Sequence, residues 1–208
     1  MGTPKDSELT RARIIDAAGQ LFAEQGRKGV TVRDIARKAD THLSALNYHF
    51  RTKESLYREV LLSACESDSI SENDQETLRK LPARTALKIL VKKALAEYAK
   101  QTANNWRTVI INRETWDPSP VFEEVVEAYF KPNAEFMAGI IGNIVDKPPD
   151  DQEVRFAVIG LIGLLETYGL YGHLIDGVFP GLVDRFAQKE WLADRIVHLT
   201  LAAAESGL

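Results

Sequence analysis

The stretch TVRDIARKADTHLSALNYHFRTKESL, residues 31–56, decides the fold of this chain. Near its start, Val32, Ile35 and Ala36 recur at the i, i+3, i+4 spacing of one buried helical stripe. After a tight turn, a second short helix is expected at about 42–49. Two helices this short do not offset their own nucleation cost, so both must pack against neighbouring helices. The stretch therefore predicts a helix-turn-helix unit.

Each helix of this unit has a face that is suited to the core. Thr31 is a good N-cap for the first helix, and Asp34 stands where the positive end of the helix favours a carboxylate. In the second helix, Leu43, Leu46 and Phe50 lie roughly along one face. We expect these three side chains to close over the first helix.

The other face of the second helix carries small or hydrogen-bonding side chains and no carboxylate. Its residues are His42, Ser44, Asn47, Tyr48 and His49. The basic residues that bracket it are Arg33, Arg37, Lys38, Arg51 and Lys53. This composition is typical of a recognition helix in the DNA major groove. A helical hairpin with ordinary solvated polar residues has the same composition, so these residues alone leave both interpretations open.

A family resemblance favours the DNA-binding interpretation. The motifs that carry it are LFAEQG at 21–26, VTVRDIA at 30–36 and ADTHLSALNYHFRTKESLY at 39–57. On these motifs, residues 8–62 resemble the DNA-binding domain of the TetR-type family of bacterial transcriptional regulators. The motif LSALNYHF, together with WDPSPVFEEV at 116–125 and YFKP at 129–132, looks most like the CecR-like subgroup.

Two positions depart from the pattern of that family. Asp40 stands in the turn, where family members often carry Gly, and Asp tolerates the left-handed backbone that a turn needs. Leu43 stands where many members carry a polar residue. Its side chain either joins the core or contacts a thymine methyl group, and the sequence leaves both options open.

Helix geometry and the matching family positions assign roles on double-stranded operator DNA. The residues expected to face base edges are His42, Ser44, Ala45 and Asn47. The residues expected to contact phosphates and set the register are Thr31, Arg33, Tyr48, His49 and Lys53. Tyr48 and His49 have an alternative role as partly buried supports of the turn.

The distribution of charge agrees with a localised polyanion-binding face. The formal net charge of the 208 residues is −4. Residues 1–58 contain 11 Lys and Arg against 7 Asp and Glu, a net charge of +4, whereas the other 150 residues carry −8. A basic end on an acidic body confines the attraction for DNA to that end.

The cysteine content and the hydropathy of the chain indicate the cellular compartment to expect. Cys65 is the only cysteine, which excludes an intramolecular disulfide and a cysteine-based zinc site. The N-terminal residues lack the apolar segment of a signal peptide, and no run approaches 18 apolar residues. We expect a cytoplasmic protein without a membrane span.

Helical periodicity continues to the end of the chain, without strand-like alternation of useful length. It predicts an all-α fold of about nine helices. Residues 1–56 are the predicted helix-turn-helix DNA-binding domain. Residues 57–208 are the predicted effector-binding and dimerisation domain.

Several boundaries are predicted from helix-breaking residues and polar runs. The first helix should begin at Ser7, after a disordered lead, and end at Gly26. The polar run 67–80 is expected to be a solvated loop or a frayed helix end. Pro132 should kink a long helix near Ala128, because its ring displaces a helical hydrogen bond there.

The last two helices, at about 152–174 and 188–206, are the predicted dimer surface. One recognition helix reads only a few base pairs, so a twofold homodimer would match a palindromic operator. The candidate interface residues are Leu161, Leu164, Leu165, Trp191, Ile196 and Leu199. The same residues also suit a core, and a four-helix dimer seam is a core that two chains share.

The family resemblance implies a small-molecule effector that binds from about Ala83 onward. The candidate pocket residues are Trp106, Arg107, Arg113, Trp116, Tyr129, Phe130, Phe136, Met137, Glu166, Tyr168 and Tyr171. Aromatic residues at helical spacing also serve as ordinary core. The effector is expected to be partly apolar and to release a repressor by shifting the population of two arrangements of the body.

Two other classes of function compete with that of a ligand-responsive regulator. An enzyme is disfavoured because the sequence has no HExxH, GxSxG, phosphate-binding glycine loop or Glu-x-x-His pair. We therefore expect no catalytic residues, no metal site and no cofactor. A DNA-binding regulator without a small-molecule ligand remains the alternative.

Overall fold

The computed structural model describes residues 4–68, 70–100, 105–182 and 189–205, and their regular structure is helical throughout. Its elements are α1 Pro4–Gly29, α2 Val32–Lys38, α3 Leu43–His49, α4 Lys53–Asp68, α5 Glu72–Arg79, α6 Ala83–Lys100, α7 Trp106–Trp116, α8 Phe122–Val125, a π-helical segment Val126–Phe130, α9 Lys131–Val145, α10 Gln152–Leu170, α11 Gly172–Val178 and α12 Lys189–Glu205. The all-α prediction is confirmed. The predicted count of about nine is too low, because the described residues form eleven helices when α8, the π segment and α9 are counted as one.

The chain forms two compact units. The first contains the described residues of Met1–Ser69 and Asn104–Phe130, and the second those of Ile70–Ala103 and Lys131–Leu208. The predicted domain boundary between residues 56 and 57 concerns functional roles and stays a prediction.

The first unit is built on α1, against which α2, α3, α4 and α7 pack. Its largest fully buried side chains include Phe22, Ile35, Leu46 and Ile110. Gly19 permits the closest approach, because a Cβ at this position would overlap the indole ring of Trp106 on α7. The two short helices therefore pack on α1, and α1 in turn packs against α4 and α7.

The second unit has its core between α6, α9, α10 and α12. Leu87, Ile141, Leu161 and Ile196, one from each of these helices, are at most 1% exposed. Burying a side chain of this size contributes about 1.5–3 kcal/mol relative to leaving it exposed. The contribution of α10 and α12 to this core decides which of their side chains stay available to a partner.

The predicted loop at 67–80 is wrong, because α5 occupies most of it. The Ser71 side chain accepts a hydrogen bond from Asp74 N–H at 3.2 Å, which caps the helix. Leu78 is 6% exposed in the core of the second unit. Lys93 Nζ on α6 also donates to the Asp74 carboxylate at 2.5 Å. Capping and packing thus outweigh the low apolar content of this helix.

Other boundaries also shift. The first helix begins at Pro4 rather than Ser7, and its regular geometry breaks at Gly26, where φ is 74°. The helix predicted to reach residue 174 ends at Leu170, and α11 follows it directly. Gln188 and Ser206, the predicted ends of the last helix, lie outside the described residues.

The structure has a π-helical irregularity at the place where Pro132 predicts a kink, near Ala128. The backbone is π-helical over Val126–Phe130 before α9 resumes regular α-helix. Ala128 lies four residues before Pro132, so its carbonyl is the one that the missing proline N–H would have bonded.

Within the described ranges, no single helix is both long and apolar enough to cross a membrane. Only α10 and α11 taken together, bent by 79° at their junction, meet the criteria of length and composition.

Candidate nucleic-acid interface

A capping box fixes the start of α2. Asp34 N–H donates to Thr31 Oγ1 at 3.2 Å, and Thr31 N–H donates to the Asp34 carboxylate at 3.3 Å. The hydrogen bond from the Thr31 hydroxyl lowers the pKa of the Asp34 carboxyl group. Arg37 pairs with the same carboxylate at 2.7 Å. The predicted N-cap role of Thr31 is confirmed.

The turn between α2 and α3 needs a left-handed residue, and Asp40 supplies it with φ 48°. Thr41 N–H donates to the Ala36 carbonyl at 3.0 Å, which closes the turn over the end of α2. The expectation that Asp replaces Gly without loss of this geometry is confirmed.

The exposed surface of α3 spans one side of the helix. Leu46 and Phe50 face the core at 0% and 3% exposure, as predicted. The exposed residues of α3 and its N-cap are His42, Leu43, Ser44, Asn47 and Tyr48. Together these five residues are termed the α3 face. Residues 41–51 contain no carboxylate, so the negative potential of DNA would meet no like charge here.

Two residues of α3 differ from expectation. Leu43 was expected to close over the core with Leu46 and Phe50, but 37% of its surface is exposed. It lies at the first position of α3, with the outer part of its side chain in solvent. Ala45, a predicted base-contacting residue, is only partly exposed and lies outside the α3 face.

Tyr48 and His49 were each predicted to contact phosphate or, alternatively, to support the turn as partly buried residues, and their burial differs. Tyr48 is 80% exposed, which contradicts its alternative role as a partly buried support. His49 is half-buried, and its ring lies edge-on to that of Tyr48 with centroids 5.2 Å apart. Their phosphate contacts stay predictions.

Lys53 has a structural role within the unit. Its Nζ donates to the carbonyls of Arg27 and Val30 at 3.1 and 3.2 Å, and its side chain is half-buried. It therefore caps the C-terminal end of α1. The predicted phosphate contact of Lys53 stays a prediction, as do those of Thr31 and Arg33, whose side chains are exposed.

A buried polar cluster joins α4 to α7, and no sequence pattern indicated it. Tyr57 O–H donates to Glu114 Oε1 at 2.5 Å, and Ser119 N–H and O–H donate to Oε2 at 3.0 and 2.8 Å. Tyr57 and Glu114 are 2% and 3% exposed. Burial, followed by the bond to Glu114, raises the pKa of Tyr57 far above its ordinary value.

Further polar contacts connect α7 and α8 to the helices beneath the α3 face. Arg113 donates to the Ala23 carbonyl at 3.1 Å. Arg58 on α4 forms an ion pair with Glu124 on α8. The α7 and α8 helices thus contribute directly to the support of α1 and α4.

The predicted effector residues fall into both units. Those in the first unit are Trp106, Arg107, Arg113, Trp116, Tyr129 and Phe130, and those in the second are Phe136, Met137, Glu166, Tyr168 and Tyr171. Trp106 belongs to the core of the first unit at 6% exposure, and its Nε1–H donates to Asp16 at 2.9 Å. Trp116 is 90% exposed, whereas Phe136 is 8% exposed in the second core.

An open cleft of about 520 Å³ lies in the first unit. Its lining residues are Glu8, Arg11, Ala12, Ile15, Asp16, Ser63 and Arg107. Arg107 is the member that the sequence predicted. Its guanidinium lies 4.5 Å from the centroid of the Trp106 ring, and its Nε is buried without a hydrogen-bond partner among the described residues.

The predicted dimer residues are unequally exposed. Leu161, Leu165 and Ile196 belong to the core of their own unit, so they are not free to contact another chain. Leu164 and Trp191 are half-buried, and Leu199 is 50% exposed.

Two exposed apolar residues on α10 were missed. Phe156 and Ile159 are 68% and 66% exposed. On the same helix, a Cβ at Gly160 or Gly163 would meet no atom within 4 Å. The spacing 156, 159, 160, 163 marks one helical face that was visible in the sequence.

Two family models match this chain. Residues 14–60 match the model described as bacterial regulatory proteins, tetR family. Residues 83–205 match the model described as the C-terminal domain of the HTH-type transcriptional dual regulator CecR. Both parts of the predicted family resemblance are thereby confirmed.

Similar proteins extend these matches. The HTH-type transcriptional repressor KstR2 of Mycolicibacterium smegmatis is 39% identical over 59 residues, which cover 28% of this chain and 29% of that protein. A putative TetR-family transcriptional regulator from Mesorhizobium loti has a TM-score of 0.61 at 23% identity, covering 97% and 98% of the two chains. FadR from Bacillus subtilis, solved in complex with stearoyl-CoA, has a TM-score of 0.62 at 16% identity, covering 92% and 98%. Both solved structures share the fold of this chain.

Proposed function

Because this chain belongs to the TetR family of bacterial regulatory proteins, with a C-terminal region of the CecR type, we propose that it is a cytoplasmic DNA-binding transcriptional regulator. It acts as a homodimer on a palindromic operator. A small, partly apolar effector releases it from the DNA, so that it works as a repressor.

The single observation that carries the proposal is the α3 face. Ser44 and Asn47 are exposed on it, and an Asn side chain can bond both N6 and N7 of adenine in the major groove. Arg33 on α2 and Arg51, just after α3 in the chain, are exposed and would contact phosphates. An exposed helix face without carboxylates, preceded and followed in the chain by exposed cations, suits the negative major groove of DNA.

The test is selection of binding sequences from a random duplex pool by the full-length protein, followed by anisotropy over a salt series. We expect one symmetric sequence to be enriched. Its affinity should fall steeply with salt, since each phosphate contact contributes a slope of about −0.9 in log–log form. Asn47→Ala should weaken binding at one base pair in each half-site, by about 1–3 kcal/mol. Weak binding that is indifferent to sequence would contradict the proposal.

The homodimer is supported by the apolar face of α10 and α12. Phe156 and Ile159 on α10 and Leu199 on α12 are 50–68% exposed, and these two helices pack against each other. The open space above Gly160 and Gly163 would let a second helix approach closely. A twofold seam along this face would bury these residues and pair two copies of α3.

Replacement of Ile159 by Glu tests the dimer. A carboxylate buried in the seam would cost several kcal/mol, so sedimentation should show a monomer with greatly weakened operator affinity. Leu9→Glu, which changes a leucine on α1 that is 57% exposed, is the matched control and should remain dimeric. A dimeric Ile159→Glu variant would contradict the proposed seam.

The effector proposal is supported by Arg107 and by half-buried side chains of the second unit. Arg107 lines the open cleft of the first unit, and its guanidinium is suited to pair with a polar or anionic group of a ligand. Met137 and Tyr168 are only partly buried. Stearoyl-CoA, the ligand in the FadR structure, is a suitable first probe within a library of partly apolar molecules.

The effector is tested by two coupled measurements. A true effector should raise the unfolding temperature and lower the affinity for the selected operator, because coupling between two sites is reciprocal. A library in which every stabilising compound leaves operator affinity unchanged would contradict release by an effector and favour a regulator without a ligand.

A further inference from the structure

The exposed position of Leu43 is not explained by the packing of the helix-turn-helix unit. Ile35, Leu46 and Phe50 already close the core at 0–3% exposure. Leu43 leaves 37% of its surface in solvent at the first residue of α3. Its neighbours on the α3 face are polar, so it is the only aliphatic side chain on that face.

The location of Leu43 matches where a recognition helix touches bases. The N-terminal residues of such a helix contact base edges in the major groove. Leu43 and Asn47 are four residues apart, so they lie on one side of α3, one turn from each other. A base pair that faces Asn47 therefore has a neighbouring pair within reach of Leu43.

Groove chemistry then restricts what Leu43 can recognise. Every base edge in the major groove presents hydrogen-bond donors or acceptors, which a leucine cannot use, and thymine adds one apolar group, its C5-methyl. We propose that Leu43 is a specificity residue that packs against a thymine methyl group in each half-site. This proposal rests on the proposed function and specifies one base, a thymine, in each half-site of the operator.

Uracil provides the test, because it lacks the methyl group and keeps the same O4 acceptor. Each thymine of the selected duplex is replaced by uracil, symmetrically in both half-sites, and the dissociation constant is measured by anisotropy at fixed salt. Removing one buried methyl group is worth about 0.8 kcal/mol, or about fourfold. We expect one position at which the symmetric replacement weakens binding about 15-fold.

Variants connect this effect to Leu43. In Leu43→Ala the same uracil replacement should change affinity by less than about twofold. Leu43→Met keeps an apolar side chain of similar volume and should retain the discrimination between thymine and uracil. This variant carries the test if Leu43→Ala proves unstable. Leu174→Ala, which changes a leucine of α11 that is 65% exposed, is the matched control and should behave as the unchanged protein.

The outcomes separate this inference from the function on which it rests. Selected half-sites without thymine, no methyl effect at any thymine, or a methyl effect that persists in Leu43→Ala would each overturn the role of Leu43 alone. Enrichment of no sequence at all would overturn the proposed function and this inference together.

Discussion

Replacing Tyr57 by Phe tests whether the polar cluster between α4 and α7 stabilises the first unit. The change removes one hydroxyl group and keeps the aromatic ring, whose centroid lies 5.0 Å from that of Phe22. Glu114 Oε1 loses the bond from Tyr57, while the two bonds from Ser119 to Oε2 remain. The variant therefore isolates a single hydrogen bond to a buried carboxylate.

The magnitude follows from the burial of both partners. Hydrogen bonds to charged groups contribute about 1.5–3 kcal/mol, and the loss here leaves a carboxylate oxygen unpaired in a site that is 3% exposed. For a protein of this length, each kcal/mol lowers the melting temperature by about 2–4 °C. We therefore expect Tyr57→Phe to melt about 3–12 °C lower.

The assay is thermal unfolding followed by circular dichroism. Tyr48→Phe is the matched control, since the Tyr48 side chain is 80% exposed, and its effect should be within about 0.5 kcal/mol. If Tyr57→Phe melts at the same temperature as the control variant, the reasoning about the buried cluster is refuted.

Three further predictions concern the same unit. Lys53→Met should lower the free energy of unfolding by about 1 kcal/mol or more, measured by urea titration, because two carbonyls at the end of α1 lose their donor. Gly19→Ala should destabilise by about 1–3 kcal/mol, because its methyl group would overlap the Trp106 ring, whereas Gly139→Ala has open space and should not destabilise. Stability should fall above about pH 10, because the raised pKa of Tyr57 favours its neutral form in the folded state, and a pH series should show a smaller fall for Tyr57→Phe.

Local chemistry made the helix-turn-helix unit predictable. Thr31 and Asp34 form the expected capping box, and Asp40 adopts the expected left-handed backbone. These features depend on residues close together in sequence. The position of Leu43 depends instead on which neighbouring helix reaches its outer surface, and helical periodicity grouped it with Leu46 although it is exposed.

Features that depend on distant parts of the chain could not be predicted. A lysine beside a basic face suits both a phosphate contact and a helix cap, and only the fold shows that Lys53 reaches two carbonyls. When both sides of a helix are apolar, the sequence does not tell which side faces its own core. For α10, Leu161 is buried and Ile159 is exposed.

The measurement that tests the central claim most directly is operator binding by Ser44→Glu. This change places a carboxylate on the α3 face and leaves the core untouched, since Ser44 is exposed. Thr115→Glu adds the same charge at an exposed position on α7 and serves as the control. We predict that Ser44→Glu loses at least about 100-fold in affinity for the selected operator, while Thr115→Glu loses less than about threefold. Equal losses in both variants, or no loss in either, would contradict binding of DNA through the α3 face.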